Sequence, residues 1–417
     1  MELHHKGSVT AIYMRKPDGT LESPKTRSRL EGEKREKQEG GEKREKKVKI
    51  EDFELVSLLG KGSFGLVYLA KHIQTGKHCA LKQIDKKATQ LKGKAAHAKT
   101  EKVILTTAKS PFILRAVNTF QDEALAWLAL EYCPGGDIKQ YLRLAGCFEE
   151  PDAVLYFAEM ILSVHDLHEM GYLHRDIKPD NFLIDRTGHI KLADFGLAKH
   201  KLAVGKVGEA TPEFDARNTT TNFPNHWVQY VKDPKQLDVL YPTYNPISNN
   251  RYNNNSGIGK KPTVDRAIWK RVLGNSIVGT PPYMSPEVAL GRHEGGSFYG
   301  EEIDWWSLGL VFFEMIFGST PWSGDSPEEL FKEIDTWNNI LPTIFEQYKD
   351  QISPECSSLL QGFLTESSQR LGSDLGRIKK HPFFKGLDWS NLLAVPPPVV
   401  PNFDSEMTFL DRYSFGT

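Results

Sequence analysis

Two short runs of polar residues carry the side chains with the clearest chemistry in this chain. The first is His-Arg-Asp-Ile-Lys-Pro-Asp-Asn at 174–181, and the second, 13 residues further on, is Asp-Phe-Gly at 194–196. Asp176 is suited to accept a proton from a hydroxyl group, while Asn181 and Asp194 offer oxygen ligands to a hard cation such as Mg²⁺. Either tripeptide alone would be a weak signal, but the two runs at this spacing predict transfer of a γ-phosphoryl group.

A glycine-rich run lies upstream, where residues 60–67 read Gly-Lys-Gly-Ser-Phe-Gly-Leu-Val and continue as a predicted strand. Glycine allows backbone N–H groups to approach phosphate oxygens closely. Such a run could also be a dinucleotide-binding fingerprint, but that interpretation does not predict the strand-like Cys79–Lys82 that follows. Lys82 is expected to pair with the α- and β-phosphates of a nucleotide. Glu101, on the next predicted helix, is the best candidate for its carboxylate partner.

Because these runs occur in this order, residues 53–384 resemble a eukaryotic protein kinase catalytic domain. The resemblance implies an α+β, bilobal kinase fold with a small antiparallel-sheet lobe (53–131) and a larger helical lobe (134–384). A hinge at 131–134 would join the lobes, with ATP and Mg²⁺ bound in the cleft between them.

The resemblance also implies a role for each site residue. The catalytic residues would be Asp176, Lys178, Lys82 and Glu101, with Lys178 touching the γ-phosphate as in serine/threonine kinases. The cofactor-binding residues would be Gly60, Lys61, Gly62, Ser63, Phe64, Gly65, Val67, Ala80, Lys82, Glu131, Cys133, Asn181 and Asp194. Of these, Asn181 and Asp194 would also be the metal ligands.

Residues 279–287, Gly-Thr-Pro-Pro-Tyr-Met-Ser-Pro-Glu, resemble the end of the activation segment in the AGC group of kinases. The resemblance predicts a buried ion pair between Glu287 and Arg370, and contacts from Asp304 to the backbone of the catalytic loop. We assign these three residues to the scaffold rather than to the chemistry. The run His-Pro-Phe-Phe at 381–384 is typical of the end of an AGC catalytic domain.

Length and composition agree with an enzyme of this kind. A chain of 417 residues can bury the core of a two-lobed domain, and a net charge of −1 argues against a nucleic-acid or membrane-surface partner. The four cysteines show no metal-binding spacing, which favours reduced thiols. We find no apolar run long enough to span a membrane and no signal-peptide pattern at the N-terminus. We therefore expect a cytoplasmic protein, with a nuclear or spindle-pole location as further options.

Residues 1–50 differ from the rest of the chain. The string Gly-Glu-Lys-Arg-Glu-Lys occurs at 32–37 and again at 41–46, in a segment with few apolar side chains. Such a segment cannot bury enough surface to offset its ordering entropy, so we predict a disordered, charged extension. A single exposed charged helix is the alternative.

The distance from Asp194 to Glu287 is 93 residues, which predicts an activation-segment insert at about 200–275. Its last part, 251–271, has six basic residues against one acidic residue. A long, partly basic insert here resembles the NDR/LATS branch of AGC kinases, closest to the fungal mitotic-exit and septation kinases, where it is associated with autoinhibition. A merely solvated segment is the other interpretation. The resemblance also places an activating phosphosite at Ser276, which implies an upstream kinase.

Two features depart from that branch. Residues 1–50 do not look like its Mob-binding region. A Mob-type coactivator is therefore a possible partner for which this sequence shows no recognisable binding region. We predict that the AGC-type C-terminal tail, 385–417, stops short of the phosphorylatable hydrophobic motif. In this alignment, residues 409–413 are the stretch that would lie near the nucleotide. In a second, less favoured alignment, the tail ends in a degenerate hydrophobic motif with Ser414 as its phosphosite.

Substrate preference follows from the acidic residues that the resemblance places in the cleft. Asp137, Asp180 and Glu314 would favour arginine two to five residues before the acceptor serine or threonine, and Thr280 is a further substrate-binding position. Each acid could instead be an ordinary surface residue.

We therefore predict a serine/threonine protein kinase that acts on protein substrates with upstream Arg or Lys, in cell-cycle, cytokinesis or morphogenesis signalling. One alternative is another AGC kinase with an expanded activation segment, of the Greatwall/Rim type. A second alternative is an inactive kinase fold that serves as a scaffold.

Overall fold

The computed structural model describes residues 48–62, 64–201, 279–290 and 300–401, together with the backbone of two short strands near the N-terminus. The chain divides into two compact units, 1–46 and 47–417. In the first, Met14–Arg15 (β1) pairs antiparallel with Leu21–Glu22 (β2). Most of the predicted N-terminal extension, nearly all of the predicted insert, Ser276, and the tail beyond Pro401 lie outside the described residues.

A five-stranded antiparallel sheet forms the small lobe. Its strands are β3 (Phe53–Lys61), β4 (Leu66–His72), β5 (His78–Asp85), β6 (Ala116–Gln121) and β7 (Leu125–Leu130). Their order across the sheet is β3-β4-β5-β7-β6, which places β5 at the centre. Two helices follow β5 along the chain, α1 (Lys86–Leu91) and α2 (Ala95–Thr107), and the predicted helix that carries Glu101 is α2.

The alternation of side chains along β5 separates two groups of residues. Cys79 and Leu81 pack with Trp127 in a small apolar cluster, whereas Ile84 belongs to the main core. Successive side chains of a strand point to opposite faces of the sheet. Lys82 therefore lies on the same face as Ile84, toward α2, and the pleat of the strand directs its ammonium group into the cleft.

Helices dominate the large lobe. They are α3 (Ile138–Ala145), α4 (Glu150–Glu169), α5 (Pro286–Ala289), α6 (Glu302–Phe317), α7 (Pro327–Asp335), α8 (Trp337–Gln347), α9 (Pro354–Phe363) and α10 (Leu375–Lys379). The antiparallel sheet and these helices confirm the predicted bilobal α+β fold. Among the described residues, no helix is both long and apolar enough to cross a membrane.

The core of the large lobe forms where α4 packs against α6. The rings of Phe157 and Phe312 stack with their centroids 4.1 Å apart, and both side chains are fully buried. Gly309 allows α9 to pack closely against α6, because a Cβ at this position would lie only 2.7 Å from Cβ of Phe363. These contacts fix the position of α6, whose Asp304 bonds to the loop that carries the first polar run.

Serine caps followed by proline begin two of the helices. The Ser326 side chain accepts a hydrogen bond from Glu329 N at the start of α7, and the Ser353 side chain accepts one from Cys356 N at the start of α9. The hydroxyl satisfies an unpaired N–H group, and the proline that follows has no N–H group to satisfy.

Short elements position the polar runs. β8 (Tyr172–Leu173) pairs with β11 (Lys199–His200), and β9 (Phe182–Ile184) pairs with β10 (Ile190–Leu192). The 3₁₀ turns are Ile50–Asp52, Pro179–Asn181, Phe195–Leu197, Pro281–Tyr283, Ser367–Gln369, Leu371–Ser373, Pro382–Phe384 and Leu392–Ala394. The two antiparallel pairs bring the turns after Lys178 and Asp194 to the same end of the lobe.

The described part of the C-terminal tail runs over the large lobe. Trp389 packs edge-on against Phe384, and the Tyr156 hydroxyl donates a hydrogen bond of 3.3 Å to the carbonyl oxygen of Val399. Gly188 has φ +92, and a Cβ there would lie 2.3 Å from that same carbonyl oxygen. A glycine is therefore needed at this position both for its backbone conformation and for the passage of the tail.

Candidate active site

Lys82 and Glu101 form a buried ion pair between β5 and α2. The Lys82 ammonium donates to Glu101 Oε1 at 2.6 Å, and the two side chains are 6% and 2% exposed. Burial opposes the charge on Lys82, but the carboxylates of Glu101 and Asp194 outweigh it and raise its pKa. The lysine is therefore held as a cation in the cleft, where it can neutralise phosphate oxygens.

The glycine-rich run turns tightly above this pair. Gly60 pairs with Val67 across β3 and β4, and Gly62 N donates to the carbonyl oxygen of Gly65 at 2.8 Å. A Cβ at Gly65 would lie 2.1 Å from the carbonyl oxygen of Gln83 on β5, so a larger residue there would push the loop out of place. A Cβ at Gly62 would lie 3.4 Å from the Lys82 side chain.

Four more predicted cofactor-binding residues of this region have defined places, and one does not. The Phe64 ring is buried, with its centroid 5.4 Å from Lys82 Nζ. Val67 lies opposite Lys82 in the pairing of β4 with β5, and Lys61 lies at the exposed end of β3. Ala80 lies opposite Leu130 of β7. Ser63 is outside the described residues.

The segment after β7 contains the two predicted hinge residues. The Glu131 carboxylate contacts Arg115 Nη2 at 3.0 Å and Lys191 Nζ at 3.2 Å. A nucleotide contact from Glu131 would therefore come from its backbone. Cys133 is buried, and burial raises the pKa of its thiol. Its side chain is thus a neutral apolar group at the edge of the cleft.

Asp176, Lys178 and Thr280 form a triangle of hydrogen bonds. Asp176 Oδ1 accepts from the Thr280 hydroxyl at 2.7 Å, and Asp176 Oδ2 accepts from Lys178 Nζ at 2.8 Å. Lys178 also donates to the Thr280 hydroxyl at 3.0 Å. Burial disfavours the charge on Lys178, but Asp176 in particular raises its pKa. A carboxylate base, a cation and a hydroxyl group are thereby brought together from two parts of the chain.

Asp304 of α6 binds the backbone of the loop that carries Asp176. Asp304 is buried and accepts hydrogen bonds of 2.8 Å from the backbone N–H groups of His174 and Arg175, as predicted from the sequence. Its pKa is lowered despite its burial, chiefly by the imidazole of His168, which lies 2.8 Å away. Arg175 has φ +66, a strained value for a residue with a side chain.

Asp194 provides the second half of the site. It also has a positive φ, +55, and its Oδ1 accepts from Gly196 N at 3.3 Å. Burial would raise its pKa, but Lys82, Lys178 and His174 outweigh this and lower it. Phe195 is fully buried, and its turn contacts α2. Asp194 is therefore held as an anion, directly before a turn that contacts the helix that carries Glu101.

Asn181 and Asp194 fit the predicted role of cation ligands. The Asn181 amide group donates to the carbonyl oxygen of Asp176 at 2.7 Å, which leaves its own oxygen available. The backbone carbonyl oxygen of Asn181 accepts a hydrogen bond from Ala193 N at 2.8 Å, which places Asp194 next to Asn181. Within the described ranges no three His, Cys, Asp or Glu side chains form a metal cluster. Few protein ligands, completed by phosphate oxygens and water, are typical of Mg²⁺.

Sequence reasoning missed a network beneath the catalytic loop. His168 lies between two carboxylates, with its Nε2 at 2.8 Å from Asp304 Oδ2 and its Nδ1 at 3.5 Å from Glu301 Oε2. Glu301 in turn pairs with Lys201, just after β11. Burial disfavours a charged His168, but the two carboxylates raise its pKa, and His168 chiefly lowers the pKa of Glu301 to about 2. Lys201 and Glu301 are 100 residues apart, so no local pattern could have indicated the contact.

The predicted ion pair of Glu287 and Arg370 is present. Arg370 donates to both carboxylate oxygens of Glu287, at 2.5 and 2.9 Å, and its Nη1 also donates to the carbonyl oxygen of Glu302 at 2.9 Å. Its guanidinium lies 4.8 Å from the ring of Trp306. This arrangement ties the short helix α5 to α6 and supports the scaffold role assigned to both residues.

The three predicted substrate-binding acids lie in different environments. Asp137 caps α3, accepting from Gln140 N at 2.8 Å, and burial above all raises its pKa to about 6. Asp180 is exposed in the turn after Lys178. Glu314 is buried, and its carboxylate is paired with Lys139 and with the Tyr283 hydroxyl.

Comparison with known proteins agrees with this geometry. The family model described as the protein kinase domain matches residues 53–222 and 265–384, so the match is interrupted inside the predicted insert. A probable serine/threonine-protein kinase of Dictyostelium discoideum is 39% identical over 363 residues, which cover 85% of this chain and 26% of that protein. The serine/threonine-protein kinase CBK1 of Yarrowia lipolytica is 36% identical, over 86% of this chain and 58% of its own length.

A third relative is the probable serine/threonine-protein kinase ndrB of Dictyostelium discoideum, which is 35% identical over 85% of this chain and 61% of its own length. The chain thus spans between about a quarter and three-fifths of the curated relatives named here. The family acts on proteins with ATP and a divalent cation. From the fold, the site and these similarities together, the chain belongs to the protein kinase family, in the NDR/LATS branch of the AGC group.

Proposed function

We propose that this protein is a serine/threonine kinase that transfers the γ-phosphoryl group of ATP to proteins with basic residues upstream of the acceptor. The observation that carries the proposal is the triangle of Asp176, Lys178 and Thr280, with distances of 2.7 to 3.0 Å. It presents a carboxylate to an incoming hydroxyl group and a cation to the phosphoryl group beside it. The joint presence of Lys82, Glu101 and Asp194 in one site argues against an inactive scaffold.

Each side chain has a role in the proposed reaction. Lys82, fixed by Glu101, neutralises the α- and β-phosphates. Asn181 and Asp194 would hold Mg²⁺, which would offset the charge that develops on the phosphates. Asp176 orients the substrate hydroxyl and accepts its proton while the oxygen attacks the γ-phosphorus atom and ADP leaves, and Lys178 stabilises the charge on the phosphoryl oxygens.

Transfer of radiolabelled phosphate from ATP to a generic basic serine peptide tests the proposal. The parent protein should label the peptide only when a divalent cation is present. Lys82→Met and Asp194→Asn should abolish labelling while circular dichroism stays that of the parent. A parent protein that binds nucleotide but labels no protein or peptide would indicate a scaffold.

Regulation by phosphate at Ser276 belongs to the same proposal. Ser276 lies outside the described residues, and we propose that its phosphate would bind basic residues beside the catalytic loop. Arg175 and Lys199 lie close enough to His97 to lower its pKa, after the larger effect of burial, and His97 Nδ1 is buried without a hydrogen-bond partner. A phosphoserine brings about −1.5 to −2 charges, which this basic group can bind.

Ser276→Ala should therefore depress activity. Neutralising Arg175 and Lys199 together should remove the difference in activity between phosphorylated and phosphatase-treated protein.

In the same proposal, the basic stretch 251–271 holds the unphosphorylated enzyme in an inactive arrangement. Deletion of 251–271 should then raise the activity of phosphatase-treated protein, whereas a passive tether would leave it unchanged.

We further propose a role in cell-cycle, cytokinesis or morphogenesis signalling, with a cytoplasmic location and nuclear or spindle-pole sites as options. The similarity to CBK1 and ndrB kinases supports the branch. A Mob-type coactivator is the proposed partner, and an upstream kinase the proposed activator. A pull-down with a purified Mob-type protein tests the partner. Fluorescent tagging in cells tests the location.

A further inference from the structure

Glu314 is one of three acids predicted to bind a substrate arginine, but its carboxylate is already occupied. Oε1 is paired with Lys139 Nζ, and Oε2 accepts from the Tyr283 hydroxyl at 2.5 Å. The Glu314 side chain is 2% exposed, whereas that of Lys139 is 21% exposed. Lys139 therefore covers the carboxylate on the side that faces solvent.

The contacts of Lys139 and Glu314 place this ion pair near the reaction centre. Tyr283 ends the 3₁₀ turn that begins one residue after Thr280, and Thr280 donates to Asp176. Lys139 is in the first turn of α3, and α3 contacts the turn Pro179–Asn181 that carries Asp180. The Lys139–Glu314 pair thus lies between the catalytic loop and the end of the activation segment, where the residues before an acceptor hydroxyl would pass.

We propose that Lys139 is a specificity-determining residue that withholds Glu314 from substrate arginine. An arriving guanidinium would have to displace an ammonium group that already makes a charge-assisted contact, so its net gain at Glu314 is small. Basic-residue preference then depends on Asp180, which is exposed, and on Asp137, whose carboxylate also caps α3. The proposal rests on the proposed kinase function and refines its substrate class.

The proposal has a consequence for a variant without the lysine. Removing one partner of a buried ion pair leaves an uncompensated charge, which is strongly unfavourable. In Lys139→Met, the guanidinium of a substrate arginine can supply the missing cation to Glu314. The variant should therefore prefer arginine more strongly than the parent does.

The test uses a set of serine peptides that carry either no arginine or a single arginine at one position, two to five residues before the acceptor. For each protein, kcat/KM on every arginine peptide is divided by kcat/KM on the arginine-free peptide. Lys139→Met should raise this ratio at one of these positions by about ten- to a hundredfold, the usual worth of a hydrogen bond to a charged group. Lys139→Arg keeps the covering charge and should leave the ratio close to that of the parent.

The double variant Lys139→Met/Glu314→Gln locates the effect, because it should return the ratio to the parental value. An unchanged or lower ratio in Lys139→Met would overturn the proposal, and so would a gain that persists in the double variant. Lys139→Gln replaces Lys139→Met if that variant does not fold. Peptide affinity measured by fluorescence anisotropy gives the corresponding ratio of binding constants without turnover. A parent protein that transfers phosphate to no peptide would instead contradict the proposed function, while the affinity ratio still decides the role of Lys139.

Discussion

Glu101 of α2 accepts a hydrogen bond of 2.6 Å from Lys82 of β5, and both side chains are almost completely buried. The same helix contacts the turn Phe195–Leu197, which directly follows Asp194. Lys82, the helix α2 and the loop that carries Asp194 therefore form one assembly. A displacement of α2 would separate the charges that phosphoryl transfer requires.

Glu101→Gln should lower kcat/KM for ATP by at least about tenfold, since a hydrogen bond to a charged group contributes about 1.5–3 kcal/mol. Lys82 would keep a hydrogen-bond partner but lose the nearby negative charge that fixes its position. Steady-state kinetics at varied ATP concentration measure the effect. Glu123→Gln, at an exposed position of the same lobe, is the matched control and should behave as the parent. Equal kinetics for both variants would contradict the role of the ion pair.

Asp176→Asn should reduce kcat by about 10²–10⁴-fold, the usual contribution of a positioned general base. The amide can still accept from Lys178 or Thr280, so the loop should keep its structure while its basicity is lost. Single-turnover assays with thermal melting as the folding control measure this. Asp152→Asn, exposed on α4, provides the comparison. A variant that kept turnover within a factor of about ten would show that Asp176 is not the base.

Arg370→Ala should lower the free energy of unfolding by about 3–5 kcal/mol, because it leaves Glu287 in a half-buried position without its bidentate partner. Arg370→Lys should recover only part of this loss, since an ammonium group cannot match both carboxylate oxygens. Lys349→Ala breaks the exposed pair with Glu346 and should cost about 0–1 kcal/mol. Urea denaturation of the three variants measures the difference, and similar losses for Arg370→Ala and Lys349→Ala would rule out a scaffold role.

The His168 network should make stability depend on pH. Because the pKa of His168 is raised, its contribution is complete below its unfolded pKa of about 6.5 and is lost as the pH rises through the folded value. Glu301, with its pKa lowered to about 2, contributes above its ordinary value of 4.5 and loses that contribution as the pH falls toward 2. Both contributions are complete between about pH 4.5 and pH 6.5.

Glu301→Gln should consequently destabilise the protein more at pH 6 than at pH 9. Melting temperatures of variant and parent at both pH values measure the difference. Glu346→Gln, whose partner is a lysine and not a histidine, should show no such dependence. An equal loss at pH 6 and pH 9 for Glu301→Gln would mean that the charge of His168 does not change between these two pH values in the folded protein.

Much of the site could be predicted from the sequence because its parts are local. The eight residues at 174–181 and the glycine-rich run hold their chemistry within single turns, and the type of each residue limits what it can do. The pairing of Lys82 with Glu101 was also predicted, because the order of the motifs places the carboxylate partner of the lysine on the next helix. The buried contacts of Asp304 and Arg370 followed from the resemblance to protein kinases.

Tertiary structure alone decided which charges are available. Asp137, Asp180 and Glu314 are alike in the sequence, yet one caps a helix, one is exposed and one is paired with Lys139 across 175 residues. The backbone of Arg175 and the position of His168 between two carboxylates likewise depend on Glu301 and Asp304, at the start of α6 and more than 100 residues further along the chain. Sequence determines which groups a chain possesses, while packing determines their partners, because burial and pairing depend on residues that are distant along the chain.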